Sequence, residues 1–286
     1  MFFVNIALLF SLGFAYELNF DINLAKRAVS FSGIAYCTGP IAGTNSVDSW
    51  SCKECKNYPN VNATSFQGST ATDAKGFVAY DPDANEIVVS FSGTDPASIR
   101  NWIDDIDTIK TDYPYCDGCR VHEGFYRTYQ STDAQVKSLL NLYTSTYPAA
   151  TIAVTGHSLG AALAAHAVAE LTHVGYTLKA SYTFGMPRVG DEAFETWYKE
   201  AMVGTYRVTH HKDPVPHLPT YNMGFHHMPY EAFYSQDNYQ DIVLCSFEGE
   251  DPACSNQYEV DVNVLDHLHY LGFDFTTNYL SANCEL

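Results

Sequence analysis

The pentapeptide Gly156-His157-Ser158-Leu159-Gly160 joins an apolar run, Thr151 to Thr155, directly to an alanine-rich stretch holding Ala161, Ala162, Ala164 and Ala165. A strand that turns sharply into a helix strains the middle residue of the turn, and the flanking positions must be glycine to avoid collision. Ser158 is therefore expected at a helix N-terminus with an accessible hydroxyl. There the N–H of Leu159 and the positive helix end face any oxygen that becomes negative when a carbonyl is attacked. The pentapeptide alone also describes a glycine turn around an inert serine; the strand before it and the small-residue helix after it favour the chemical reading.

A serine hydroxyl is a poor nucleophile at neutral pH and needs a histidine base, itself oriented by a carboxylate. On a parallel α/β sheet these partners follow the serine in the order acid, then histidine. The strand-like run Thr205 to His210 leads into Lys212-Asp213-Pro214-Val215-Pro216, which puts Asp213 just past a strand end in a proline-stiffened loop. Asp191 sits more naturally at the start of the next helix, and Asp266 is the sequence neighbour of the candidate base. Of the eleven histidines, His267 in Val264-Leu265-Asp266-His267-Leu268 is the expected base and His269 its close competitor. His157, His166 and His173 belong to the nucleophile segment and are read as packing or surface residues. The pair His226-His227 lacks ligand partners at recognisable spacing, so no metal is assigned, and no cofactor is needed.

A second donor for a developing oxyanion is expected after an earlier strand. The run Glu86 to Ser92 delivers the chain into Gly93-Thr94, making Thr94 the candidate beside Leu159; an ordinary strand-ending turn is the rival reading. Next comes Asp95-Pro96, a capping residue and a first-turn proline. Ile99, Trp102, Ile103 and Ile106 then recur at helical spacing, opposite Asn101, Asp104, Asp105 and Asp107. Such a stripe ordinarily packs on a core. Beside an oxyanion loop it suits a lid that covers the site in water and turns its apolar face to a lipid surface.

Apolar runs at Gly76 to Tyr80, Glu86 to Ser92, Thr151 to Thr155, Lys179 to Phe184 and Thr205 to His210 alternate with helical patterns at Gln130 to Tyr147 and Leu159 to His173. This predicts an α/β class with a mostly parallel sheet, whose ligands gather at the carboxyl ends of the strands. A formal charge of −18 repels phosphate backbones and anionic headgroups, so nucleic acid is excluded as a partner. The apolar run from Phe2 to Ala15, ending Gly13-Phe14-Ala15, reads as a secretory signal too short to span a bilayer, though no Lys or Arg precedes it. Residues 16–286 then form one domain, expected to be monomeric and without stable membrane insertion.

Eight cysteines fit an oxidised framework and allow many connectivities. Locality favours Cys52 with Cys55, Cys116 with Cys119 and Cys245 with Cys254, leaving Cys37 for Cys284. The two Cys-x-x-Cys pairs lie too far apart for a zinc ribbon, and Pro114, Asp117 and Gly118 describe a turn rather than a redox helix. Asn62-Ala63-Thr64 is a glycosylation sequon.

With these residues in view the sequence resembles the class 3 lipase family, the fungal-type triacylglycerol lipases and their feruloyl esterase relatives. The resemblance runs through Ile87 to Thr94, Ile99-Arg100-Asn101-Trp102, Val121 to Phe125, Val154 to Gly160, Gly185 to Gly190, Asp213 to Pro219 and Asp266-His267-Leu268. It implies an α/β-hydrolase fold with a mostly parallel central sheet, flanking helices and a short helical lid. By position it implies Ser158, Asp213 and His267 as triad, Thr94 and Leu159 as oxyanion donors and Ile99 to Ile106 as lid, and it supports the Cys37–Cys284 pairing. Asp95-Pro96-Ala97-Ser98 looks longer than the family's usual step into the lid, whereas Cys116-Asp117-Gly118-Cys119 resembles the feruloyl esterase branch. The expected activity is secreted carboxylester hydrolysis on a lipid or other ester, at an oil–water interface for a triacylglycerol lipase. The rivals are hydrolysis of soluble aryl esters and a catalytically inactive lipid-binding homologue.

Overall fold

Apolar runs along the chain build a sheet with two buried faces. The computed structural model describes residues 20–39, 46–201 and 204–284, so the leader read over residues 1–15 lies outside the described residues. Helix α1 (Ile22–Ile34) is capped by Asp21, whose carboxylate accepts the N–H groups of Asn23 and Leu24. Strands β1 (Asn62–Gln67), β2 (Lys75–Asp81) and β3 (Glu86–Phe91) pair antiparallel in sequence order. A 3-10 turn at Pro96–Ser98 leads into α2 (Ile99–Asp105), followed by the small pair β4 (Lys110–Asp112) and β5 (Arg120–His122) and then α3 (Glu123–Thr146). Next come β6 (Thr151–His157), α4 (Leu159–His173), β7 (Leu178–Phe184), α5 (Glu192–Ala201), β8 (Thr205–His210) and β9 (Glu231–Tyr234). The edge strand β10 (Val243–Leu244), α6 (Val264–His267), β11 (His269–Tyr270), β12 (Phe273–Asp274) and α7 (Thr277–Cys284) close the chain.

The main sheet has the order β1-β2-β3-β6-β7-β8-β9-β10, with β3, β6, β7, β8 and β9 parallel neighbours. The strand period of two separates its faces. Ile87, Val89 and Phe91 of β3 join the cluster under α3 and α4, while Val88 joins Phe31 and Ile34 of α1 on the other side. Parallel strands covered on both faces are buried along their length, which is why β8 reads as an unbroken buried run.

The expected runs lie within, or within a residue or two of, β2, β3, β6, β7 and β8, and the helix expected at Leu159 to His173 has those bounds as α4. The helix expected from Gln130 begins instead at Glu123, because His122 caps it. The ring Nδ1 of His122 accepts the Phe125 N–H at 3.2 Å, and Phe125, Tyr126 and Tyr129 add a buried aromatic face to the first turns.

All eight cysteines pair as locality favoured: Cys37–Cys284, Cys52–Cys55, Cys116–Cys119 and Cys245–Cys254. The first spans 247 residues. It fastens α7 beneath the end of α1, where Asn283 also accepts the N–H of Lys53 through its carbonyl and that of Glu54 through its side chain. Closing so long a loop restricts the unfolded chain strongly. The double substitution Cys37→Ala/Cys284→Ala is therefore expected to lower the unfolding free energy in urea by about 2–5 kcal/mol. A midpoint unchanged from the parent would show that the Asn283 hydrogen bonds alone hold α7.

Candidate active site

Ser158 stands between β6 and α4 with φ 60° and ψ −129°, a left-handed conformation held by its surroundings. Its N–H donates to the Phe184 carbonyl on β7 at 2.9 Å. The flanking glycines are required by close approach: a Cβ on Gly156 would overlap the Gly160 carbonyl, and one on Gly160 would overlap the Phe91 carbonyl of β3. Such a backbone costs on the order of 1–3 kcal/mol, offset here by the packing of strand against helix.

The hydroxyl expected to be accessible is buried, with Ser158 only 1% exposed. The chain beyond Thr94 is folded inward: Ile99 is buried, Trp102 stacks on Phe125 at 6.2 Å, and Trp102 and Ile106 pack against the cluster that also receives Leu159. Asn101, Asp104, Asp105 and Asp107 face solvent. This is the arrangement an amphipathic stripe adopts in water, where an open apolar face would be unfavourable. The helix does not begin at Pro96 but resets at Ile99 after the 3-10 turn, in which Asp95 accepts the Ala97 N–H at 2.9 Å.

His267 and Asp213 come from distant segments and meet in the interior, 0% and 2% exposed. The Nδ1–H of His267 donates to Asp213 Oδ2 at 2.8 Å, which leaves the lone pair on Nε2. That Nε2 and the Ser158 Oγ are both buried without a hydrogen-bond partner among the described residues. Asp213 is further held by the Tyr270 hydroxyl, which donates to the same Oδ2, and by the Val215 N–H, which donates to Oδ1 at 2.8 Å. Asp213 is placed by the turn after β8, its own N–H donating to the His210 carbonyl at 3.0 Å. His267 ends α6, which Asn263 caps by accepting the Leu265 N–H.

Each competing residue is engaged elsewhere. Asp191 accepts the Phe194 N–H and opens α5. Asp266 accepts the Lys212 N–H and faces His211 Nδ1 at 3.1 Å, tying α6 to the loop that carries Asp213. His269 is exposed and donates from Nδ1 to the Leu265 carbonyl. His226 and His227 serve packing: His227 donates to the Pro216 carbonyl, and burial, with Arg207 and Arg188 alongside, pushes its imidazole well below the ordinary range. Burial likewise pushes His166 down to about 3, so it packs as a neutral ring against Tyr126 and Phe194, while His173 stacks on Tyr115. One grouping of potential ligand atoms, Glu231 with Cys245 and Cys254, has both sulfurs in a disulfide.

On the other side of Ser158, Gly93 presses against the elbow so closely that a Cβ on it would come 2.6 Å from the His157 carbonyl oxygen and 3.1 Å from the Ser158 Cβ. Thr94, half-buried, is therefore carried on a loop abutting the serine, and Leu159 opens α4 immediately after it. Three residues of this site were not read as parts of it from the sequence, His157 being taken only as a packing or surface residue. Tyr270 lies three positions beyond His267, yet nothing in a two-residue strand announces a hydroxyl aimed inward. Tyr36 and His157 are joined by a hydrogen bond between residues 121 positions apart.

A serine on a strained strand-to-helix elbow, an acid after a later parallel strand and a histidine near the chain end, in that order, define an α/β-hydrolase. The family model for lipase (class 3) matches residues 88–223. A lipase from Rhizomucor miehei is 31% identical over 258 residues, 89% of this chain and 69% of that protein. A secreted mono- and diacylglycerol lipase A from Penicillium cyclopium is 34% identical over 197 residues, 67% of this chain and 63% of that one. Among solved structures, the triacylglyceride lipase of Rhizomucor miehei matches with TM-score 0.80 and 29% identity, over 92% of this chain and 97% of that chain. Lipase II from Rhizopus niveus matches with TM-score 0.82 and 28% identity, over 90% and 96%. The chain belongs to the class 3 lipase family.

Proposed function

We propose that this protein is a secreted triacylglycerol lipase working through an acyl-enzyme, with residues 16–286 as one catalytic domain. The observation that carries the reading is the buried His267–Asp213 pair, whose unpartnered Nε2 belongs to a ring lying 4.6 Å from that of His157, the residue before the serine. In this reading Nε2 takes the Ser158 proton as Oγ attacks the ester carbonyl. The tetrahedral oxyanion rests on the backbone N–H of Leu159 and on Thr94, and His267 returns the proton to the leaving alcohol. Water then repeats the sequence against the acyl-enzyme. Asp213 keeps its negative charge beside the imidazolium formed in each half-reaction.

The stripe Ile99, Trp102, Ile103 and Ile106, of which Ile99 is buried and Trp102 and Ile106 pack on the core, favours glycerides over dissolved esters. Contact with a lipid surface supplies the apolar environment that the closed helix finds in the core, so α2 lifts without exposing its stripe to water. The four disulfides suit an oxidising, extracellular setting, and the Penicillium and Fusarium relatives are named secreted lipases. Hydrolysis of soluble aryl esters is the second reading, favoured by the Cys116–Cys119 turn.

Rate measured against triglyceride concentration, beside a dissolved feruloyl ester, separates the two. The lipase reading expects turnover to rise as the triglyceride passes its solubility limit and an emulsion forms. A smooth hyperbola through that limit, with faster hydrolysis of the feruloyl ester, would reverse the assignment.

A further inference from the structure

His157 is fully buried and stacks on Phe275 at 3.8 Å, and both of its ring nitrogens are used. Nε2 lies 2.8 Å from the main-chain carbonyl oxygen of His267, and Nδ1 lies 2.8 Å from the Tyr36 hydroxyl. A carbonyl only accepts, so Nε2 carries the proton, Nδ1 is the acceptor and Tyr36 donates to it. The Tyr36 oxygen in turn lies against Gly93, so closely that a Cβ on that glycine would overlap it. The polarity is thus fixed along the line, Tyr36 O–H to His157 Nδ1 and His157 Nε2–H to the His267 carbonyl, with the Tyr36 oxygen packed on Gly93 at its far end.

We propose that Tyr36 and His157 are positioning residues, a buried relay that fixes the oxyanion loop at Gly93-Thr94, the serine elbow and the backbone of His267 relative to one another. These pieces come from three separate parts of the chain, and no sheet hydrogen bond spans them all. The relay does so through the residue next to Ser158. Burial, with the His267 ring alongside, drives the His157 imidazole well below its ordinary range. It therefore stays a neutral donor and does not oppose the positive charge that forms on His267 during turnover. Thr94 and Leu159 act only if held where the oxyanion will appear, and Nε2 of His267 only if held where Ser158 releases its proton, so small slackness here falls on turnover rather than on substrate binding.

This inference rests on the triad reading, and the test separates the two. Tyr36→Phe removes one oxygen and keeps the ring. With a dissolved short-chain ester it is expected to lower kcat about tenfold, the equivalent of one hydrogen bond, at unchanged KM. The melting temperature should fall by only about 2–4 °C, and titration with an activated phosphonate should still count every site. His157→Phe also cuts the link to His267 and should fall further, whereas His157→Gln, whose amide N–H can still reach the His267 carbonyl, should recover part of that loss. Combined with Thr94→Gly, Tyr36→Phe should add less than its separate effect, because both act on the same donor. Full kcat in Tyr36→Phe, or a loss matched by fewer titratable sites, would reduce the relay to ordinary core stabilisation. If Ser158→Ala kept its activity, the triad reading itself would fail; an inactive Ser158→Ala beside a fully active Tyr36→Phe would remove the relay alone.

Discussion

Ser158→Ala is expected to lower kcat for a dissolved short-chain ester by about 10⁶-fold, the scale at which serine triads lose their nucleophile. A folded protein should remain. The Ser158 Oγ is buried and makes no hydrogen bond among the described residues, so removing it strands none of them and relieves an unsatisfied polar group. Alanine carries the same Cβ as serine at φ 60°, so the strain of the elbow is unchanged. The melting temperature should therefore hold or rise while turnover vanishes, the opposite of what a destabilised core would give. The residual rate measures what the oxyanion donors and substrate positioning contribute without a nucleophile. Hydrolysis within tenfold of the parent would mean that another group attacks the carbonyl, and the serine elbow would be only a packing device.

The sequence makes the elbow legible because its constraints are local. An apolar run over Thr151 to Thr155, two glycines and a small-residue helix specify the backbone at Ser158 without reference to the rest of the chain. The apolar stripe after Thr94 is local in the same sense, since Ile99, Trp102, Ile103 and Ile106 lie on one face of any helix formed there. What it packs on is not local. The stripe meets Phe125 and the core of α3 and α4, a contact that no spacing rule within Ile99 to Ile106 contains. For the same reason His157 reads as a packing residue from its neighbours. Its two hydrogen bonds go to residues 121 and 110 positions away. β9 escapes notice because four residues buried together, Glu231 among them, show neither alternation nor a long apolar run. Glu231 is tolerated there because Thr209 and the Ser255 N–H donate to it and Arg207 lies 3.6 Å away.

Asp213→Asn is the second large effect expected, a fall of about 10⁴-fold in kcat, from a change that keeps the shape of the side chain. The carboxylate receives three donors: the Val215 N–H on Oδ1, and the His267 Nδ1–H and Tyr270 O–H on Oδ2. An amide has to give up one of these oxygens. If its NH₂ replaced Oδ1 it would face the Val215 N–H, a donor against a donor that cannot turn away because it belongs to the backbone. The NH₂ therefore takes the Oδ2 position, where the Tyr270 hydroxyl can rotate to accept. His267 can meet it only by accepting at Nδ1, which moves its proton to Nε2, the atom required to take the proton of Ser158. The variant would keep its packing and hold its imidazole in an inactive tautomer, so the melting temperature should shift by only a few degrees while turnover collapses. Loss of less than tenfold would mean that His267 is oriented without this carboxylate. Neither of the competing acids is free to compensate, since Asp191 caps α5 and Asp266 is bound to the Lys212 N–H. A large loss with a small change in stability would therefore identify Asp213 as the group that sets which nitrogen of His267 carries the proton.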